Sequence, residues 1–194
     1  FAPTKTPVSV AGLSVRGPNK ALAHDYRPTP AVVFDCALGA VEDDLSRFTF
    51  VDYGAGKGRV LMMAAQHPFR SVVGVEFAEE LHDDAMMNIA QFPRSQMKCR
   101  NVDCLLQDAA NMEAVSGEAI HYFFDPFERQ VFAHVLARIV HSYHAHPRRL
   151  YLILVDTDAG DLIHRTGIFQ KGELPYGVRM KEGFLCPYPI NVLR

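Results

Sequence analysis

The stretch that decides the fold is Phe48-Thr49-Phe50-Val51-Asp52-Tyr53-Gly54-Ala55-Gly56-Lys57-Gly58-Arg59-Val60-Leu61. Residues 48–53 read as a short strand. Glycine then takes every second position, at Gly54, Gly56 and Gly58. Residues 59–67 read as a helix, with Val60, Leu61, Met63 and Ala64 inward and Pro68 closing it. Glycine tolerates positive φ and lets a bound molecule lie against bare backbone. The start of the helix adds unpaired N–H groups and a partial positive charge.

Working outward, strands and helices alternate. Thr29 reads as an N-cap with Pro30 at the first helical position, opening a helix through Val33, Phe34, Ala37, Leu38 and Val41 to about Asp43-Asp44. Residues 71–77 read as a buried strand and residues 79–91 as an amphipathic helix. Residues 99–107 hold a third strand and residues 119–124 a fourth. Residues 127–143 form a long helix with Val131, Val135 and Ile139 on one face. Residues 150–155 are a fifth, wholly apolar strand. The Gly- and Pro-rich stretch after Gly167 carries two more strands, read as antiparallel, ending near 190–193. This order predicts an α/β fold, a doubly wound, mostly parallel sheet with an antiparallel C-terminal strand and helices on both faces. Residues 1–20 are set apart as an N-terminal arm, and residues 21–194 as one domain. Ligands of such sheets sit beyond the carboxyl ends of the strands.

Two ligand classes suit the first strand end. A dinucleotide site wants Gly-x-Gly-x-x-Gly. Counted from Gly54, its third glycine falls on Arg59. The spacing found is Gly-x-Gly-x-Gly, with Asp52 two residues ahead. An acid there suits a cationic ligand and repels a pyrophosphate. The pattern resembles motif I of the class I, Rossmann-like methyltransferases that use S-adenosylmethionine. The resemblance runs from about Tyr26 to Val155 and implies an enzyme whose turn abuts the methionine part of that cofactor. Asp52, Gly54, Ala55, Gly56 and Gly58 are then cofactor-binding, Asp52 meeting the amino group.

The other strand ends supply further candidates. Glu76 closes the second strand, where a carboxylate can accept from both ribose hydroxyls, with Phe77 beside it. The methyltransferase pattern places an acid after the third strand on the adenine amino group, with the next backbone N–H on a ring nitrogen. Asp108 and Ala109 fit that place, and Asp103 competes with Asp108. Asp125-Pro126-Phe127 is similar to the Asp/Asn-Pro-Pro-Tyr/Phe motif of enzymes that methylate planar amino groups, though Phe127 replaces the second proline. Asp125 is a catalytic candidate on that resemblance, with Pro126 and Phe127 binding the acceptor. The same residues also read as a helix start, Asp125 capping and Pro126 first. Tyr26-Arg27-Pro28-Thr29-Pro30 resembles the segment that folds over the methionine end in a subset including protein lysine methyltransferases. It adds Thr29 to the cofactor residues and Tyr26 to the catalytic ones, with His24 a nearby proton acceptor.

The chain has 194 residues, 48% of them hydrophobic and 22% charged, with a formal net charge of −2. That balance disfavours nucleic acid as the acceptor, since global binding to it is usually basic. A protein amine or a small molecule is preferred. Residues long enough in an apolar run to span a bilayer are not seen, nor is a secretory signal. Cys36, Cys99, Cys104 and Cys186 follow neither a zinc nor a disulfide spacing. They read as reduced and mostly buried, which points to the cytoplasm. His141, His144 and His146 could hold zinc only with converging geometry and a fourth ligand. They read instead as a solvated helix end, and no metal is expected. A nicotinamide-dependent oxidoreductase and a non-catalytic binding module are the competing readings.

Overall fold

The computed structural model describes residues 2–172, 186 and 188–194. Five strands follow the expected order: β1 (Thr49–Tyr53), β2 (Ser71–Glu76), β3 (Val102–Leu106), β4 (Ala119–Phe124) and β5 (Leu150–Val155). They are joined by β6 (Ile190–Leu193) in one sheet of order β3-β2-β1-β4-β5-β6. The first five are parallel and β6 runs antiparallel to β5. Of the two C-terminal strands expected after Gly167, β6 is found among the described residues, and residues 173–185 of that stretch lie outside them.

The helices are α1 (Ala31–Leu38), α2 (Arg59–Ala65), α3 (Glu79–Gln91), α4 (Arg129–Ala145) and α5 (Gly160–Thr166). Side chains alternate across a strand, so β1 sends Phe50 to one face and Val51 and Tyr53 to the other. Phe50 packs with Phe34 of α1, Leu61 of α2 and Tyr122. Val51 and Tyr53 pack with Phe132, Val135 and Ile139 of α4 and Ile163 of α5. Burial on both faces explains why β5 and nearly all of β4 are apolar without alternation, while β1 buries two polar residues, Thr49 and Asp52. Each fully buried Phe contributes about 1.5–3 kcal/mol.

Five helix boundaries differ from expectation, two of them at C-terminal ends: α2 stops at Ala65 and not 67, and α4 runs on to Ala145 and not 143. The first helix stops at Leu38, not near Asp43-Asp44. Gly39, a poor helix former, closes its last turn by donating to the Asp35 carbonyl, and Val41 is buried from a turn. Thr29 is not its N-cap: Pro30 holds that place in extended conformation, with no side-chain cap bond. The long helix starts at Arg129, with Glu128 and not Asp125 at its N-cap. Phe127 is held extended by an antiparallel bridge to Ala23, so Asp125 and Pro126 do not open the helix. The sequence reading missed α5 altogether.

Between β3 and β4 the chain crosses from one edge of the sheet back past β1. Strand order reverses there, and a crevice opens at the carboxyl ends of β1 and β4.

Candidate functional site

A cleft occupies this crevice, lined from the ends of β1, β2, β3 and β4 and from residues 10–29. At its floor is Asp52, paired in the sheet between Gly74 of β2 and Tyr122 of β4. Asp52 is 3% exposed and lines the cleft. Among the described residues its carboxylate has no hydrogen bond and no ion pair. Burial, with the Glu76 carboxylate nearby, pushes its pKa up to about 8. A buried carboxylate without a partner is costly, and a cation entering the cleft relieves that cost.

The glycine turn follows at once. Gly54 and Gly56 have φ of +78° and +53°, a region that favours glycine. A Cβ on Gly54 would stand 2.6 Å from the Pro126 side chain, and one on Gly56 would overlap the Tyr26 ring. The bareness of the turn is thus used first by the protein's own Pro126 and Tyr26. Both residues line the cleft as well. The Tyr26 hydroxyl donates to the Thr4 carbonyl at 2.7 Å, and burial raises its pKa above the ordinary value. Tyr26 therefore shapes the site with its ring. Thr29, buried, accepts from Arg59 Nε at its carbonyl, 2.7 Å away.

Glu76 at the end of β2 is buried and accepts three backbone hydrogen bonds. Its Oε2 takes the Gly56 N–H at 2.8 Å, and its Oε1 takes those of Phe77 and Ala78 at 2.9 Å. Burial still raises its pKa against these three donors. It ties the glycine turn to the start of α3, and of a carboxylate's four lone-pair sites one stays open. Asp108 follows β3 and is buried. Its Oδ1 caps the single helical turn Ala109–Asn111 through the Ala110 N–H at 2.9 Å, and its Oδ2 accepts from Asn19 Nδ2 at 2.7 Å. Asp103, the competitor, is exposed within β3 and accepts from the Cys104 N–H. The strand placement thus favours Asp108 over Asp103 as the cleft acid, with Ala109 beside it.

Residues 10–27 cross the mouth of the crevice. Arg16 N–H donates to the Phe77 carbonyl at 2.7 Å, and Glu79 N–H donates to that of Ser14 at 2.8 Å. Glu128 N–H donates to the Leu22 carbonyl at 2.7 Å, and His24 N–H to that of Pro126 at 3.1 Å. This backbone joins the ends of β2 and β4 over the cleft. Asn19 and Gln107 line it and were not singled out in the sequence. Asn19 carries no local signal, because its partner Asp108 lies 89 positions away.

At the end of β4, Asp125 adopts φ +41°, and Asp156, next in register after β5, adopts φ +52°. Non-glycine residues there are uncommon and mark sites that the surroundings hold. Arg27 spans the two, with Nη2 to Asp125 Oδ2 at 2.6 Å and Nη1 to Asp156 Oδ2 at 3.2 Å. Its guanidinium carbon lies 5.1 Å from the Phe124 ring centroid. His24 Nδ1 stands 3.1 Å from Asp125 Oδ1 and 2.9 Å from the Asp125 carbonyl, and Nε2 is 3.4 Å from Glu128. Burial works against charge on His24, but the Asp125 carbonyl and carboxylate and the Glu128 carboxylate outweigh it and raise its pKa. Burial likewise raises that of Asp125, and His24 and Arg27 offset this only in part. Pro126 and Phe127 border the same cleft. Arg27 and Asp156 were missed in the sequence. The signal for Asp156 was an acid following β5 just as Asp125 follows β4.

Elsewhere, His121 is fully buried, 3.2 Å from the Tyr53 hydroxyl, with its pKa driven down to about 3 by burial and the Arg148 charge. It is a neutral core residue. Cys36, Cys99, Cys104 and Cys186 form no disulfide. Among the described residues no three His, Cys, Asp or Glu side chains gather to hold a metal, and no helix is long and apolar enough to cross a membrane.

Solved structures share the fold. An RNA methyltransferase from Salinibacter ruber, crystallised with S-adenosylhomocysteine, aligns with TM-score 0.54 at 17% identity over 85% of this chain and 91% of its own. The N,N-8-amino-8-demethyl-D-riboflavin dimethyltransferase of Streptomyces davawensis aligns with TM-score 0.57 at 18% identity, over 84% of this chain. The chain spans 53% of that protein's length. It spans 26% of the phosphoethanolamine N-methyltransferase 1 of Haemonchus contortus, which covers 66% of this chain at 18% identity and TM-score 0.48. No curated protein sequence matches. The family model described as "Putative methyltransferase" matches residues 46–145, from the lead-in to β1 through α4. That is just over half of the chain and includes the glycine turn and the acids at the ends of β1 to β4, so the chain belongs to this methyltransferase family.

Proposed function

We propose that this chain is an enzyme that takes a methyl group from S-adenosylmethionine, bound in the cleft over β1, and gives it to an amine acceptor near the end of β4. The observation that carries the reading is Asp52, a cleft-lining carboxylate that is 3% exposed and has no partner among the described residues. The ligand that completes it is cationic on the side facing β1. S-adenosylmethionine carries an ammonium and a sulfonium, with which Asp52 pairs once it gives up its proton, whereas a diphosphate offers neither Asp52 nor Glu76 a positive partner. Arg59, which takes the place of the third dinucleotide glycine, is spent on the Thr29 carbonyl.

The residues fit the cofactor as follows. Asp52 would hold the amino group, with Gly54, Ala55 and Gly56 giving backbone clearance. The open lone pair of Glu76 would take a ribose hydroxyl, with Phe77 beside it. Asp108, Ala109 and Gln107 would border the base. The cofactor supplies an electrophilic methyl group. The protein's own part is to position and to exclude water, which can contribute ~7–11 kcal/mol. Tyr26 and the backbone of residues 14–27 cover the cleft. Asp125, whose pKa is raised, stands ready to hold a proton from an ammonium acceptor, and Pro126 and Phe127 border that acceptor.

The acidic balance favours a protein amine or small molecule over nucleic acid. The four cysteines, none of them in a disulfide, suit a reducing compartment, and on that ground the cytoplasm is proposed. The test compares thermal stabilisation by S-adenosylhomocysteine, NAD and ATP at matched excess. S-adenosylhomocysteine alone should raise the melting temperature, by ~2.7 kcal/mol of stability at a hundred times its Kd. Stabilisation by NAD alone contradicts the proposal. Labelled methyl transfer into a cell extract then separates a catalyst from a binding module, and the size class of the product sorts the acceptors.

A further inference from the structure

The cleft has a second feature that cofactor binding does not use. Asp125 and Asp156 end adjacent parallel strands, both with positive φ, and present carboxylates on either side of one guanidinium. The ring of Phe124 lies beneath that guanidinium, and Tyr188 meets the ring edge-on at 4.9 Å. Two carboxylates and an aromatic face make a complete receptor for a cation. Its present occupant is the chain's own Arg27, whose side chain is 38% exposed and follows no helix or strand. Arg27, Phe124 and Asp125 line the same cleft as Asp52, so the slot opens beside the place proposed for the cofactor.

We propose that the slot between the ends of β4 and β5 binds the cationic group of the methyl acceptor, an alkylammonium or guanidinium, and that Arg27 fills it until the acceptor displaces it. The word acceptor rests on the methyltransferase reading; the cation slot itself does not. A bound cation replaces the two ion pairs and the ring contact of Arg27 with its own. Arg27 is a competitor tethered in place, so the wild-type protein takes up outside cations only in the fraction of time that Arg27 is out.

The experiment measures binding of ethylguanidinium and n-butylammonium by calorimetry and thermal shift, with butyramide as the neutral control. It uses the wild type, Arg27→Ala, Arg27→Met, and each of these combined with Asp156→Asn. Arg27→Met keeps an apolar stem against Phe124. Arg27→Ala or Arg27→Met should bind one of the two cations about tenfold more tightly than wild type, as expected from two partly exposed ion pairs and one cation–π contact. Asp156→Asn should abolish that gain, and butyramide should not bind. No gain in either variant, while S-adenosylhomocysteine still stabilises the protein, overturns the slot and leaves the cofactor reading standing. Equal binding of butyramide overturns it too. Loss of cooperative melting in both variants makes Arg27 a strut and also overturns the proposal. Failure of S-adenosylhomocysteine to stabilise the wild type overturns the cofactor reading alone.

Discussion

Asp52→Asn should stabilise the ligand-free protein and weaken its cofactor site. The buried carboxyl has a pKa raised from 3.8 to about 8. Between these values the folded protein keeps a proton that the unfolded chain has released. The unfolded state then binds fewer protons, so stability falls as pH rises through this window. At about 1.4 kcal/mol per pH unit, the roughly three units up to pH 7 cost about 4 kcal/mol relative to the neutral acid. Asparagine keeps the shape and polarity of the neutral acid and never ionises. The variant should match the parent near pH 4 and exceed it by about 4 kcal/mol at pH 7. For a chain of this size that is on the order of 10 °C in melting temperature. Melting curves at half-unit steps from pH 4 to 8, without ligand, read this directly. S-adenosylhomocysteine should reverse the order, since its ammonium pairs with the ionised acid. Binding to the parent at pH 7 should then release close to one proton, seen by calorimetry in buffers of different ionisation enthalpy. A variant that melts no higher than the parent at pH 7, with the same pH slope, would falsify the claim that Asp52 is an unpartnered buried acid.

Two further outcomes follow from other parts of the cleft. Gly56→Ala puts a side chain at φ +53° and into the Tyr26 ring, so it should cost about 1–3 kcal/mol of stability and also weaken cofactor binding. Tyr26→Ala should recover part of that loss, and a double-mutant cycle with no coupling would mean the ring does not rest there. His24 has a folded pKa raised above 6.5, so its contribution is fully present below pH 6.5 and is lost as pH rises through the folded value. His24→Gln should therefore lower stability at pH 6 and change little at pH 9, while an NMR titration placing His24 below 6.5 would contradict the contacts with Asp125 and Glu128.

The sheet was legible because its signals are local. Strands buried on both faces read as apolar runs, and α3, β4 and β5 were placed to the residue. Asp52 was legible because the alternation of Gly54, Gly56 and Gly58 marks the strand end. The helix boundaries failed where distant contacts override spacing. Phe127 looks like the first turn of a helix until Ala23 pairs with it, over a separation no local pattern records. Thr29 resembles a cap, yet the chain arrives extended at Pro30 and its carbonyl goes to Arg59. The roles of Glu76 and Asp108 were half legible. The acids were located, but their backbone partners and the amide of Asn19 belong to the tertiary fold. Arg27 sat inside a quoted segment, and nothing nearby reveals that it joins two strand ends.

The most direct measurement is a crystal structure of the chain with S-adenosylhomocysteine. The ligand's ammonium is expected within hydrogen-bond distance of Asp52, its ribose at Glu76 and its base beside Asp108. Density for the ligand anywhere else, or a cleft in which Tyr26 and Pro126 stay closed over Gly54 and Gly56 at saturating ligand, would contradict it.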